Sequence, residues 1–320
     1  MSLSPRFRLL LGAAILVLVL LPLLGQPYLI YLLTMSLIFG IFAMAYDLLY
    51  GFTGLVSFGH SVFYGLPAYA MGMVAVTVFK YPNPLVMIAA AMLTGLVLGC
   101  LIGFVCTFAR GIYMALVTFA FAQIIELLVL HDPWGITQGE NGIMGLRAAP
   151  LSLGGLTVDL FSGVGLYYLV LGLIIASYLV IRALVNSPLG DVFKGIKQNE
   201  ERLLSLGYNP RPYKVAAFGL SGMFAGLAGA MAVFLNNSIV PSMVDWAVGA
   251  EILLITIMGG AGTLIGPIAA AFLIIFAESY AASYLGGGNW VYVMGGLYIA
   301  VVMFLPGGIF RTRYLKKAFV

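Results

Sequence analysis

Charge is what this chain has least of. Only 8% of its 320 residues are Asp, Glu, Lys or Arg, against about a quarter in a soluble domain. With 62% hydrophobic residues, a water-covered surface cannot be built, which excludes a soluble globular domain. Cysteine is nearly absent. Cys100 and Cys106 share one apolar run and face different sides of a helix, which excludes a disulfide framework and leaves core packing. No HExxH, paired-Cys motif or Ser-His-Asp order is present, so no metal, cofactor or catalytic site is expected. The Walker A pattern is also missing; if ATP powers this protein, another subunit hydrolyses it. The alternating pattern of a β-barrel is missing too. The net charge of +4 reflects which way the loops face, not nucleic-acid binding.

What remains is an all-α polytopic membrane protein. Apolar windows fall near 9–25, 28–47, 60–79, 84–108, 112–130, 166–185, 214–235 and 289–305. The run 249–285 is too long for one crossing and is broken by Gly259-Gly260-Ala261-Gly262. It reads as two spans, near 247–259 and 263–284, giving about ten in all. Residues 1–26 resemble a signal peptide but lack a small-residue cleavage site, so they read as a retained first span. With both termini cytoplasmic, only Lys80 and Arg147 among the basic residues fall outside, as the positive-inside rule requires. Residues 1–320 then form a single transmembrane domain with an external loop at 131–165 and a cytoplasmic loop at 186–213. Four spans in 28–130 start outside and four in 214–305 start inside, as in an inverted repeat.

The cytoplasmic loop is the one long charged segment. Ser187 and Pro188 suit a helix start, and Gly207 with Pro210 and Pro212 suits its end. Leu189, Val192, Phe193, Ile196, Leu203 and Leu204 recur at helical spacing, with Asp191, Lys194, Lys197, Gln198, Glu201 and Arg202 mostly elsewhere. A single amphipathic helix is expected, docked either on a soluble partner or on anionic lipid.

Two Gly-rich interruptions stand out. Gly51–His60 carries Gly51, Thr53, Gly54, Ser57, Gly59 and His60; the second carries Gly259, Gly260 and Gly262. Backbone freed at membrane depth is tolerated only in protein or against a water-filled path, so both are candidate solute-path segments. The alternative is close helix packing, or for His60 a cytoplasmic turn with a bond to Asp47 or a carbonyl. Glu126, Glu251 and Glu278 are the ionisable groups inside spans. Glu251 is carried as a path candidate, with interhelical pairing or interface anchoring as the alternative.

Taken together, GFTGLVSFGHSVFYGLPAYAMGM (51–73), RGIYMALVTFAFAQ (110–123), TQGENGI (137–143), the stretch SPLGDVFKGIKQNEERLLSLGYNPRPY continuing to Met231, and GGAGTLIGPIAAA (259–271) resemble the LivM-type permease subunits of ABC importers for branched-chain amino acids. The family's external motif reads Thr-Gly-Gly where Gln138 stands here. The resemblance implies pairing with a homologous second permease, two cytoplasmic ATPases below and a periplasmic or external solute-binding protein above. It implies that 189–206 is a coupling helix involving Asp191, Phe193, Lys194, Lys197, Glu200, Glu201, Arg202 and Gly207. Glu201 and Gly207 match the family's Glu-Ala-Ala…Gly spacing, with Arg202 and Leu203 in place of the alanines. The implied solute is a branched-chain amino acid, or an amide or urea as in close relatives, moved by alternating access. A competing class is an ion-coupled secondary transporter of a zwitterionic solute, which would fit the broken helices but not the capped cytoplasmic helix. A membrane-embedded enzyme would need a catalytic constellation that is missing.

Overall fold

The computed structural model describes residues 12, 16–73, 75, 83–146, 149–153, 156–158, 163–286, 288, 290–304 and 307–309. The expectations for both termini, for Lys80 and Arg147, and for the first part of the 9–25 span lie outside these residues. Residues 16–20 are helical and continue as a 3-10 turn at Leu21–Leu24.

Eleven further helices follow in the described chain: α1 (Pro27–Asp47), α2 (Val62–Met73), α3 (Pro84–Cys106), α4 (Ile112–His131), α5 (Gly163–Val185), α6 (Pro188–Gln198), α7 (Glu200–Ser205), α8 (Pro210–Asn236), α9 (Trp246–Gly259), α10 (Ile265–Leu285) and α11 (Trp290–Phe304). Six are long and apolar enough to cross a membrane, with α1 extended by a π-turn to Phe52. Four short strands and two 3-10 turns (Gly139–Asn141 and Pro241–Met243) complete the described elements: β1 (Ile143–Met144) pairs with β4 (Ser238–Ile239), and β2 (Leu151–Leu153) with β3 (Leu156–Val158). Helix starts follow a local rule. Asn83, Asn209 and Asp245 each accept a hydrogen bond from the second backbone amide of the helix that follows, and Pro84 and Pro210 supply the preset φ of a first helical residue.

The helices form two interlocked sets. α3 packs on α8 and α10 packs on α1; α2 also packs on α8, and α9 on α1. Exchanging α1–α4 for α8–α11 maps each of these pairs onto another, the arrangement an inverted repeat produces. The α3–α8 seam is made by glycine. Gly95, Gly99 and Gly103 recur at i, i+4 and meet Gly222, Gly219 and Phe218, so close that an added Cβ would enter the facing backbone or side chain.

Three sequence expectations change. The span proposed at 60–79 begins only at Val62, and its described helix is 12 residues long, about 18 Å. Ser61 Oγ donates to Val244 O at 3.1 Å, so α2 starts beside the start of α9. The cytoplasmic loop holds two helices, not one. Asn199 is extended (φ −167°) and caps α7 through Arg202 N. Ser187 occupies the N-cap position, but its hydroxyl bonds Leu184 O instead. Finally, Pro210 and Pro212 do not simply stop a helix; they lie in the first turn of α8.

Candidate functional site

Arg110, Arg182, Lys194, Lys197, Arg202, Arg211 and Lys214, the described basic residues, gather at one end of the bundle. Here Arg110 faces Glu201 at 3.9 Å and Lys214 pairs with Glu200 at 2.7 Å. The first pair is exposed and worth little. The second is nearly buried and ties α7 to α8. Asp191 and Lys194 pair along one turn of α6 at 3.0 Å.

Of the coupling candidates, Phe193 is fully buried, and with Ile196 and Leu203 it fastens α6 and α7 to the bundle. Asp191, Glu201, Arg202 and Gly207 remain exposed. Leu204, which spacing groups with Phe193, Ile196 and Leu203, is exposed where they are buried, and Leu206 and Tyr208 are exposed as well. The break at Asn199 rotates α7 out of the periodicity of α6, which the continuous-helix reading could not register. Gly207 has φ +87°. Its amide bonds Leu204 O and that of Tyr208 bonds Leu203 O, at 2.9 and 3.2 Å, which is the Schellman termination.

The first glycine interruption is non-helical from Thr53 to Ser61 and turns back into the protein. Its near end touches α6: Lys197 donates to Gly51 O, and Gly54 (φ +77°) lies against Lys197. Its far end is deep. His60 stacks on Phe42 at 5.6 Å between the edges of Tyr46 and Phe63, and its Nε2 lies 3.2 Å from Ser221 Oγ. His60 is therefore neither at an interface nor bonded to Asp47. Ser57 N donates to Tyr46 OH and Phe58 N to Thr118 Oγ1. Ser57 Oγ and His60 Nδ1 are buried without a hydrogen-bond partner. An added Cβ at Gly59 would enter Thr118 O, so Gly59 serves packing at least as directly as any path.

The second interruption joins the first through Asp47, which belongs to no motif visible in the sequence. Asp47 accepts the amides of Gly262 at 2.6 Å and Leu264 at 3.0 Å. Gly259 abuts Gly266 in the turn between α9 and α10. Glu251 lies apart from these groups, partly buried on α9 and within electrostatic reach of Glu278 and Tyr64. The structure thus brings Gly51, Thr53, Gly54, Gly262 and α6 together and leaves Glu251 elsewhere. A cavity of about 170 Å³ lies where the two sets meet, lined by Thr53, Gly54, Arg110, Lys197, Glu200 and Lys214 among others.

At the other end, the segment after α4 is organised by Asp132. Its carboxylate accepts the amides of Ile136, Thr137 and Gln138 at 2.6, 3.0 and 2.9 Å. Gln138 has φ +61°, the left-handed conformation that glycine adopts freely.

A family model described as "Branched-chain amino acid transport system / permease component" matches residues 28–303. The high-affinity branched-chain amino acid transport system permease protein LivM of Escherichia coli (strain K12) is 28% identical over 296 residues, covering 86% of this chain and 68% of that protein. Its Salmonella typhimurium counterpart is also 28% identical, over 298 residues, with the same coverage. The BraD permease protein of Pseudomonas aeruginosa is 23% identical over 314 residues, covering 89% and 95%. No solved structure gives a significant match.

Proposed function

Because this chain belongs to the family of branched-chain amino acid transport system permeases, a multi-pass inner-membrane family, we propose that it forms half the membrane core of an ATP-driven importer. In this reading it pairs with a homologous second permease. Two cytoplasmic ATPases dock on its basic end, and an external binding protein delivers solute to the opposite end. The solute is a branched-chain amino acid or a related small amide or urea. ATP hydrolysis belongs to the partner subunits, and this chain supplies alternating access.

The observation that carries the reading is the α6–α7 pair. Its apolar residues Phe193, Ile196 and Leu203 are spent on the chain's own bundle. Its exposed side combines Glu201 and Arg202 with Leu204, Leu206 and Tyr208 around a fixed turn. That mixture of exposed charged, aliphatic and aromatic side chains on one short segment suits a protein-docking surface. The same helices touch the first glycine interruption, so a push on them reaches the candidate path at Gly51, Thr53, Gly54 and Ser57. Thr53 and the unpartnered Ser57 and His60 atoms supply polar groups to a zwitterion without a fixed charge.

The test is co-purification of the ATPases together with ATP-dependent uptake. Glu201→Lys reverses a charge on that surface. Gly207→Val meets no neighbour, since no atom lies within 4 Å of an added Cβ, but it strains the positive φ by about 1–2 kcal/mol. Both are expected to cut uptake at least tenfold with normal membrane insertion, and Gly207→Asn, which tolerates that φ, to retain most of it. Normal ATPase capture and uptake in both variants would refute the docking role. Uptake that persists without any ATPase and follows an ion gradient would favour the secondary transporter.

A further inference from the structure

Asp47 closes the last turn of α1 with no exposure to solvent. A carboxylate taken from water in this way must be satisfied by donors, and here the donors come from the far half of the chain. Oδ1 takes Gly262 N and Oδ2 takes Leu264 N. The turn they fix is demanding: Gly260 and Gly262 have φ of 106° and 87°, and Leu264, with a branched side chain, has φ +60°. Thr263 Oγ1 closes the turn, donating to Gly260 O at 2.7 Å and accepting Gly266 N at 3.1 Å. On its other side the carboxylate touches the first interruption. A Cβ at Gly51 would fall on Asp47 Oδ1 and on the Gly262 amide, so glycine is required for the two breaks to meet. Lys197 of α6 holds the carbonyl of that same glycine. A continuous set of contacts therefore runs from α6 through Lys197, Gly51 and Asp47 to the turn between α9 and α10.

We propose that Asp47 is a positioning residue for transport, joining the two helix breaks into one unit that carries displacement of α6 into the α9–α10 turn. The inference rests on the permease reading above. A carboxylate suits the task because both of its oxygens accept, and an ionised acceptor makes the stronger bonds. Asparagine keeps the shape but turns one acceptor into a donor facing an amide N–H. Contact continuity of this kind is what mechanical coupling requires, and double substitution is its measure.

The experiment uses the complete importer in proteoliposomes, with both permeases, both ATPases and a leucine-loaded binding protein, and reads ATP hydrolysed per leucine imported. Asp47→Asn is expected to raise that ratio at least fivefold with all subunits still assembled. Lys197→Met should raise it too, Lys197→Arg should hold it near the wild-type value, and Asp47→Asn with Lys197→Met should be no worse than the worse single variant. Hydrolysis and uptake falling together at an unchanged ratio, in step with a lower Tm, would overturn the inference and leave Asp47 a structural cap. So would independent, multiplying effects of the two substitutions. If Asp47→Asn fails to assemble, Lys197→Met and Lys197→Arg decide alone, because Lys197 sits on an exposed turn. A wild-type complex that imports neither leucine nor a small amide or urea in an ATP-dependent manner would overturn the permease reading, and this inference with it.

Discussion

At the residue scale, two aspartates do similar work at opposite ends, and neither was legible as a site in the sequence. Motif spacing reveals ligands and caps within a few residues, whereas Asp47 meets partners more than two hundred residues away. Asp132 is the local case, and its consequence is a pH dependence. The amide of Thr137, then those of Ile136 and Gln138, hold its carboxyl below the usual carboxylate range. The ordered turn therefore keeps this contribution in full above the ordinary value of about 3.9, and loses it as pH falls through the lowered value of the folded turn. A spin label at Glu140→Cys is expected to stay immobile from pH 7 down to about pH 4 and to loosen below that. Asp132→Asn should loosen the label at every pH and remove the acid transition. An acid transition that survives the substitution would assign it to another group. Gln138 belongs to the same turn, held at φ +61°, a conformation that glycine adopts more readily than glutamine.

At the scale of elements, hydropathy located the helices well, because each long apolar run has to satisfy its own backbone in lipid. The expected short span at 247–259 and its successor match α9 and α10 within two residues. Where backbone geometry decides, the sequence was less informative. The start of α2 inside the bundle and the break at Asn199 depend on φ values and on cross-chain bonds. The glycines of α3 were likewise invisible as a seam until α8 lay against them. Gly222→Leu is expected to force these helices apart, costing about 3 kcal/mol or more, and to abolish monodisperse protein in size-exclusion chromatography. Gly296→Leu on α11, where an added Cβ meets nothing within 4 Å, serves as the control and should leave the elution profile unchanged. Equal behaviour of the two variants would mean that the seam does not limit folding.

At the scale of the whole molecule, the clustering of the described basic residues at one end sets the orientation proposed here. In a cysteine-free background, an impermeant thiol reagent added outside intact cells should label Met144→Cys and leave Gln198→Cys untouched until the membrane is opened. Labelling of position 198 from outside would invert the topology and move the ATPase surface to the wrong side. The halves were legible as a count of spans, but their interlocking was not, because it resides in which helix faces which. That interlocking bears on how the protein is made. α3 reaches the bilayer early with Gly95, Gly99 and Gly103 bare, and the surface that covers them belongs to α8, beyond α4 to α7 in the order of synthesis. The first half must therefore wait in lipid as an open template, and the chain becomes a finished protein only when its second half is threaded into the first.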